Sequence, residues 1–122
     1  MINKDLLLRQ VHPTWIQNGQ PTSQAFKPTL KDKGLLSTYQ RSKITPQAAW
    51  EHYTKTLGFH SSGVWAISVE ECIETGTEAR EDPLPFPAHA VVDFTKLNPK
   101  QIENVSKILK NRAIARGCQH SP

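Results

Sequence analysis

Val64-Trp65-Ala66-Ile67-Ser68-Val69 is the stretch whose reading decides the fold. Its apolar residues run on without polar alternation, the pattern of a strand whose two faces are both covered, and it is expected to lie centrally in a sheet. It is far too short for a bilayer crossing, which takes roughly 20 apolar residues. Working outward, residues 6–11, 35–39 and 90–94 are similarly short, apolar and bounded by Gly, Pro, Asn or Asp, and with residues 63–69 they predict four strands.

Two helices are predicted from their caps. Thr45-Pro46 supplies a capping hydroxyl followed by proline in the first turn; Trp50, Tyr53 and Leu57 then share one face, and Gly58 follows, so residues 46–57 read as a short amphipathic helix. Asn98-Pro99 opens the second, with Gln101 placed to reach back to the cap and Ile102, Val105, Ile108 and Leu109 recurring at helical spacing. Lys107, Lys110, Arg112 and Arg116 gather toward its C-terminal end, where cations oppose the helix dipole, and Gly117 ends it. Residues 117–122 read as a frayed tail. Residues 12–34 and 73–88, each with three prolines, read as long polar loops. The order of elements predicts a single α+β domain over residues 1–122, a small, mostly antiparallel sheet with two amphipathic helices.

A chain of 122 residues that is 37% hydrophobic and 21% charged has the composition of one globular core rather than of a disordered segment. Met1-Ile-Asn-Lys-Asp5 followed by three leucines is not a secretory leader, and a cytoplasmic protein is expected. Cys72 and Cys118 lack the spacing of a zinc site and read as free thiols; no metal or cofactor is expected. The net charge of +4 is segregated: residues 1–60 sum to +5, residues 61–97 to −5 and residues 98–122 to +4. If the fold brings the segments together the charges cancel across the surface; if it keeps them apart a basic face could attract phosphate.

Polar side chains crowd around the apolar runs of the first forty residues. Arg9, with its planar fork of donors, His12, which can carry a proton, and Ser37 are the candidate catalytic groups. Ser23, Phe26, Tyr39 and His89 are the candidate ligand-binding groups, with Phe26 as an apolar anchor. On a strand, positions 9 and 12 face opposite ways, so they converge only if Pro13 marks a bend. Glu70-Glu71 is placed at the end of the apolar strand, where only one of the two could enter a given pocket. There is no Gly-x-Ser-x-Gly elbow, no Ser-x-x-Lys after Ser23 or Ser37, and no Gly-rich phosphate loop.

The residues Leu8-Arg-Gln-Val-His-Pro13, Asn18-Gly19, Thr22-Ser-Gln-Ala-Phe26, Leu36-Ser37, Gly63-Val-Trp-Ala66 and Pro87-Ala-His-Ala90 resemble a group of small bacterial proteins with no assigned activity. More distantly, Arg9, Ser37-Thr38 and Glu70 or Glu71 occur in the order found in ADP-ribosyltransferase-like toxins of the RES type, although Glu-x-Glu is absent. Three function classes follow. The first, preferred here, is a polar pocket, binding or catalytic and toxin-like in the sense of that resemblance, for a small anionic or nucleotide-like ligand. The second is an interaction or regulatory subunit of a toxin–antitoxin or phage-defence assembly, with Trp15, Trp50 and Trp65 as anchors in a protein partner. The third is a nucleic-acid binder using Lys27, Lys31, Lys33, Arg41, Lys43 and the 107–116 cluster; it ranks last because Tyr39 is the only aromatic residue within 27–43. No membrane partner is expected.

Overall fold

The computed structural model describes all 122 residues. Strand β1 (Leu6–Gln10) leads through a 3₁₀ turn (Pro13–Trp15) to the short strands β2 (Ile16–Gln17) and β3 (Gln20–Pro21), then through two more 3₁₀ turns (Ser23–Phe26 and Leu30–Asp32) to β4 (Leu35–Gln40). Helix α1 (Pro46–Glu51) continues as a π turn (His52–Thr56); β5 (Val64–Ser68), α2 (Val69–Glu74), β6 (Glu78–Glu81), β7 (His89–Asp93) and α3 (Pro99–Arg116) follow. The main sheet has the order β5-β1-β4-β7-β6 with every pair antiparallel, so the fold is α+β. No helix is long and apolar enough to cross a membrane.

The two faces of the sheet bury separate clusters. On one, Leu7, Ile67, Val92 and Phe94 meet Leu109 of α3 and Phe26 of the 3₁₀ turn; on the other, Leu8, Val64 and Ala66 meet Ala49 of α1. The caps account for the helices as expected. Thr45 accepts from the Ala48 amide at 3.1 Å, and Asn98 and Gln101 form a reciprocal capping box at 2.8 and 2.9 Å. The π turn forms where the Thr54 hydroxyl donates to the Trp50 carbonyl at 2.8 Å and the Leu57 amide donates to the His52 carbonyl, one residue beyond the α-helical step.

Five expectations need correction. Strand β5 is covered on both faces, but it is an edge strand and not a central one. Its outer side is closed by other means: Val64 exchanges backbone hydrogen bonds with Gln119 and His120, Arg116 donates to the Ala66 carbonyl at 2.9 Å, and the Ser68 amide donates to Glu71 at 2.8 Å. The same bonds hold the segment 117–122 against the sheet through residues 119 and 120, so it is not loose. Glu70 and Glu71 stand in the first turn of α2 rather than at a strand end, because Ser68 and Glu71 form a capping box that turns the chain into a helix. The loop expected at 73–88 contains β6, whose polar Glu-Ala-Arg-Glu sequence suits an exposed edge. Within 12–34, Asn18 and Gly19 both take positive φ (54° and 76°), the geometry of a tight hairpin turn joining β2 to β3.

Candidate functional site

Strands β1 and β4 pair only through Leu7↔Gln40 and Leu8↔Tyr39. Continuing that register would set Arg9 opposite Thr38 and Gln10 opposite Ser37, but neither pair forms. Strand β1 instead stays paired with β5 as far as Gln10↔Val64, while β4 stays with β7 from Leu35 to Tyr39. The sheet therefore splits, and a cavity of about 130 Å³ opens over the split. Arg9, Gln10, Ser37 and His89 give it a polar side; Tyr39, Tyr53, Leu57, Phe59 and Phe86 enclose the rest.

The Arg9 guanidinium spans the split. Its Nε donates to the Ala25 carbonyl at 2.7 Å and its Nη1 to the Ser37 carbonyl at 3.0 Å, and it lies 5.5 Å from the Trp15 ring centre. No ion pair of the molecule includes it. Burial pulls its pKa down, since taking a cation from water disfavours the charged form; the negative charge of Asp32 opposes that shift. Burial likewise pushes both Tyr39 and Tyr53 upward, so their hydroxyls stay protonated and can donate. The Tyr39 hydroxyl meets His52 Nδ1 at 2.8 Å.

Opposite Arg9, the His89 ring is held at both nitrogens. Nδ1 lies 2.9 Å from the Asp82 carbonyl oxygen and 3.2 Å from the Asp82 carboxylate, and Nε2 lies 3.2 Å from Ser37 Oγ. A carbonyl only accepts, so Nδ1 carries the proton in the neutral ring and Nε2 is left to accept from the serine hydroxyl. Phe86 packs edge-on against the imidazole, with ring centres 5.0 Å apart. His89 is buried while Ser37 is open to the cavity. Gln10, also buried, has neither carboxamide atom hydrogen-bonded.

Of the candidates from sequence, Arg9, Ser37, Tyr39 and His89 come together here, and His12, Ser23 and Phe26 do not. His12 caps the turn at Pro13–Trp15, accepting from the Thr14 amide at 3.1 Å; its ring reaches Trp15 but not the cavity. Ser23 opens a 3₁₀ turn beside Lys110 and Ile114 in a separate groove. Phe26 has no exposed surface and fills the core, so it cannot anchor a ligand. Glu71 is committed to Arg116 at 2.9 Å, outside the cavity. Sequence reasoning missed Gln10, Tyr53, Phe86 and Asp82. Gln10 sits between Arg9 and Val11 on a strand already singled out, and a polar residue on the covered face of that strand was the available signal; nothing local marks Asp82. No family model matches this chain, and neither a curated protein nor a solved structure matches it.

Proposed function

We propose that this cavity binds a small ring-bearing carboxylate, its negative group against Arg9 and its ring between the aromatic walls. One observation carries the reading: a partly buried guanidinium at the cavity wall has two of its N–H groups on carbonyl oxygens and no carboxylate partner. A carboxylate supplies the missing charge and accepts the remaining donors in fork geometry. The volume supports a single ring rather than a whole nucleotide, since an engineered cavity of about 150 Å³ takes up benzene. The other function classes find less support. Trp65 is buried in the core, Trp50 donates to the Ser61 carbonyl at 3.1 Å, and Trp15 lies under Arg9, so none of the three is a free anchor. Lys27, Lys43 and Arg116 of the basic clusters are paired with Glu103, Glu81 and Glu71.

Calorimetric titration with benzoate and with substituted benzoates tests the proposal, with benzamide as the uncharged control. Benzoates should bind and benzamide should bind more weakly. Arg9→Met should lower benzoate affinity about 10- to 100-fold, the range for a hydrogen bond to a charged group. Equal affinity of the variant and the parent for benzoate, or no binding of any carboxylate, would refute it.

A further inference from the structure

Asp82, His89 and Ser37 stand in the order in which an orienting group, a base and a nucleophile act on an acyl carbon. We propose that the cavity is an ester-cleaving site in which Ser37 is the nucleophile, His89 the general base and Asp82 a positioning residue. The inference rests on the reading of the same cavity as a carboxylate site and names the reaction done there. Three observations converge on it. Ser37 Oγ is exposed to the cavity and lies 3.2 Å from the one imidazole nitrogen free to accept its proton. The other nitrogen is fixed by the Asp82 carbonyl at 2.9 Å, with the Asp82 carboxylate at 3.2 Å to stabilise the imidazolium once it forms. Finally, Gln10 lines the same cavity from the strand facing Ser37 and holds an unpartnered carboxamide, 4% of the residue being exposed. That amide is sealed from solvent in the unliganded cavity, and a rotation of the side chain toward Ser37 on ester binding turns it into a donor for a developing oxyanion.

With an aryl ester the reaction passes through an acyl-serine. Ser37 Oγ bonds to the carbonyl carbon as its proton passes to His89 Nε2, and the carbonyl π pair moves onto oxygen, where the Gln10 Nε2–H donates to it. The pair returns, the bond from carbon to the aryl oxygen breaks, and the proton on Nε2 goes to the departing phenoxide. Water then attacks the acyl-serine carbon as His89 Nε2 takes its proton, the bond from carbon to Ser37 Oγ breaks, and the proton on Nε2 passes to Oγ, releasing the carboxylic acid and regenerating Ser37. An aryl ester carrying a ring carboxylate uses both halves of the cavity, Arg9 for the carboxylate and Ser37 for the ester.

The experiment uses 4-acetoxybenzoate as substrate and a fluorophosphonate as covalent probe, on the full chain. The expected results are release of 4-hydroxybenzoate, one phosphonyl adduct per chain mapped to Ser37, and loss of both in Ser37→Ala. His89→Gln should lower kcat about a hundredfold or more. Asp82→Asn should lower kcat at least tenfold with KM unchanged, a split that mere loosening of the fold would not produce. Circular dichroism checks that each variant folds, and labelling of the parent chain stands whatever the variants do. No adduct on a folded parent, or an adduct at another serine, overturns the proposal. If benzoate still binds and Arg9→Met still weakens that binding, the carboxylate site survives the loss of the ester-cleaving role; if neither holds, both fall.

Discussion

Gln10 and Asp93 are side chains at which burial and charge have opposite consequences for stability. The Gln10 carboxamide is sealed from solvent with neither atom bonded, a burden of about 1–3 kcal/mol for an unsatisfied buried group. Gln10→Met keeps the length and removes the two polar atoms, so it should raise Tm by several degrees; a lower Tm would mean the amide is satisfied in solution. Asp93 shows the reverse. One carboxylate oxygen accepts from the Thr95 amide and hydroxyl at 2.7 and 2.6 Å, the other from Arg80 at 2.7 Å, and these bonds hold its pKa near 2 against an ordinary 3.8. A folded pKa below the unfolded one adds stability above the unfolded value, and that stability is lost as the pH falls from about 4 toward 2. Acid titration of Tm should therefore show a loss in that window, and Asp93→Asn should flatten it. At this scale half of the candidate site was legible, because Arg9, Ser37, Tyr39 and His89 are polar residues on apolar strands. Asp82 was not: it reaches His89 across a turn, and no spacing encodes that.

At the level of elements, the parts with strong local chemistry were the legible ones. Helices α1 and α3 follow from hydroxyl or amide caps followed by proline, and the strands from short apolar runs. Helix α2 escaped because its first residue continues the apolar run of β5; the Ser68-x-x-Glu71 box inside that run was the overlooked sign. Strand β6 escaped because both its faces are largely solvated, leaving no alternation to read. The split between β1 and β4 escaped for a different reason. Each strand is a good strand by itself, and only the competition of β5 and β7 for their outer edges shows where their pairing ends. The cap of α3 gives a clean measurement. Asn98 is exposed and its side chain accepts from the Gln101 amide, so Asn98→Ala should lower the unfolding free energy by about 1 kcal/mol, measured by urea denaturation, and Asn98→Asp should restore most of it. An alanine variant as stable as the parent would show that the first turn is held by packing alone.

The whole molecule joins what the sequence separates. The acidic middle segment is pinned to both basic ones, by Lys43–Glu81 at 3.0 Å and Arg116–Glu71 at 2.9 Å, so the fold brings together segments of opposite charge that the chain separates. The same geometry protects the two sheet edges by different means. Strand β6 presents Glu78, Arg80 and Glu81, charges that discourage pairing with another chain. Strand β5 has no charge to do this, and its apolar sequence would make an uncovered edge a template for association. Its cover is the end of the chain: residues 119 and 120 bond to both backbone groups of Val64, and the Arg116 guanidinium takes the Ala66 carbonyl while holding Glu71. Ending the chain after Gly117 removes the bonds at Val64 and leaves α3 complete. That variant should keep its helical circular dichroism yet associate in a concentration-dependent way by analytical ultracentrifugation. Adding Arg116→Ala should strengthen the association by freeing Ala66. A truncated chain that stays monomeric at high concentration would mean the faces packed on β5 shield its edge without help from the tail.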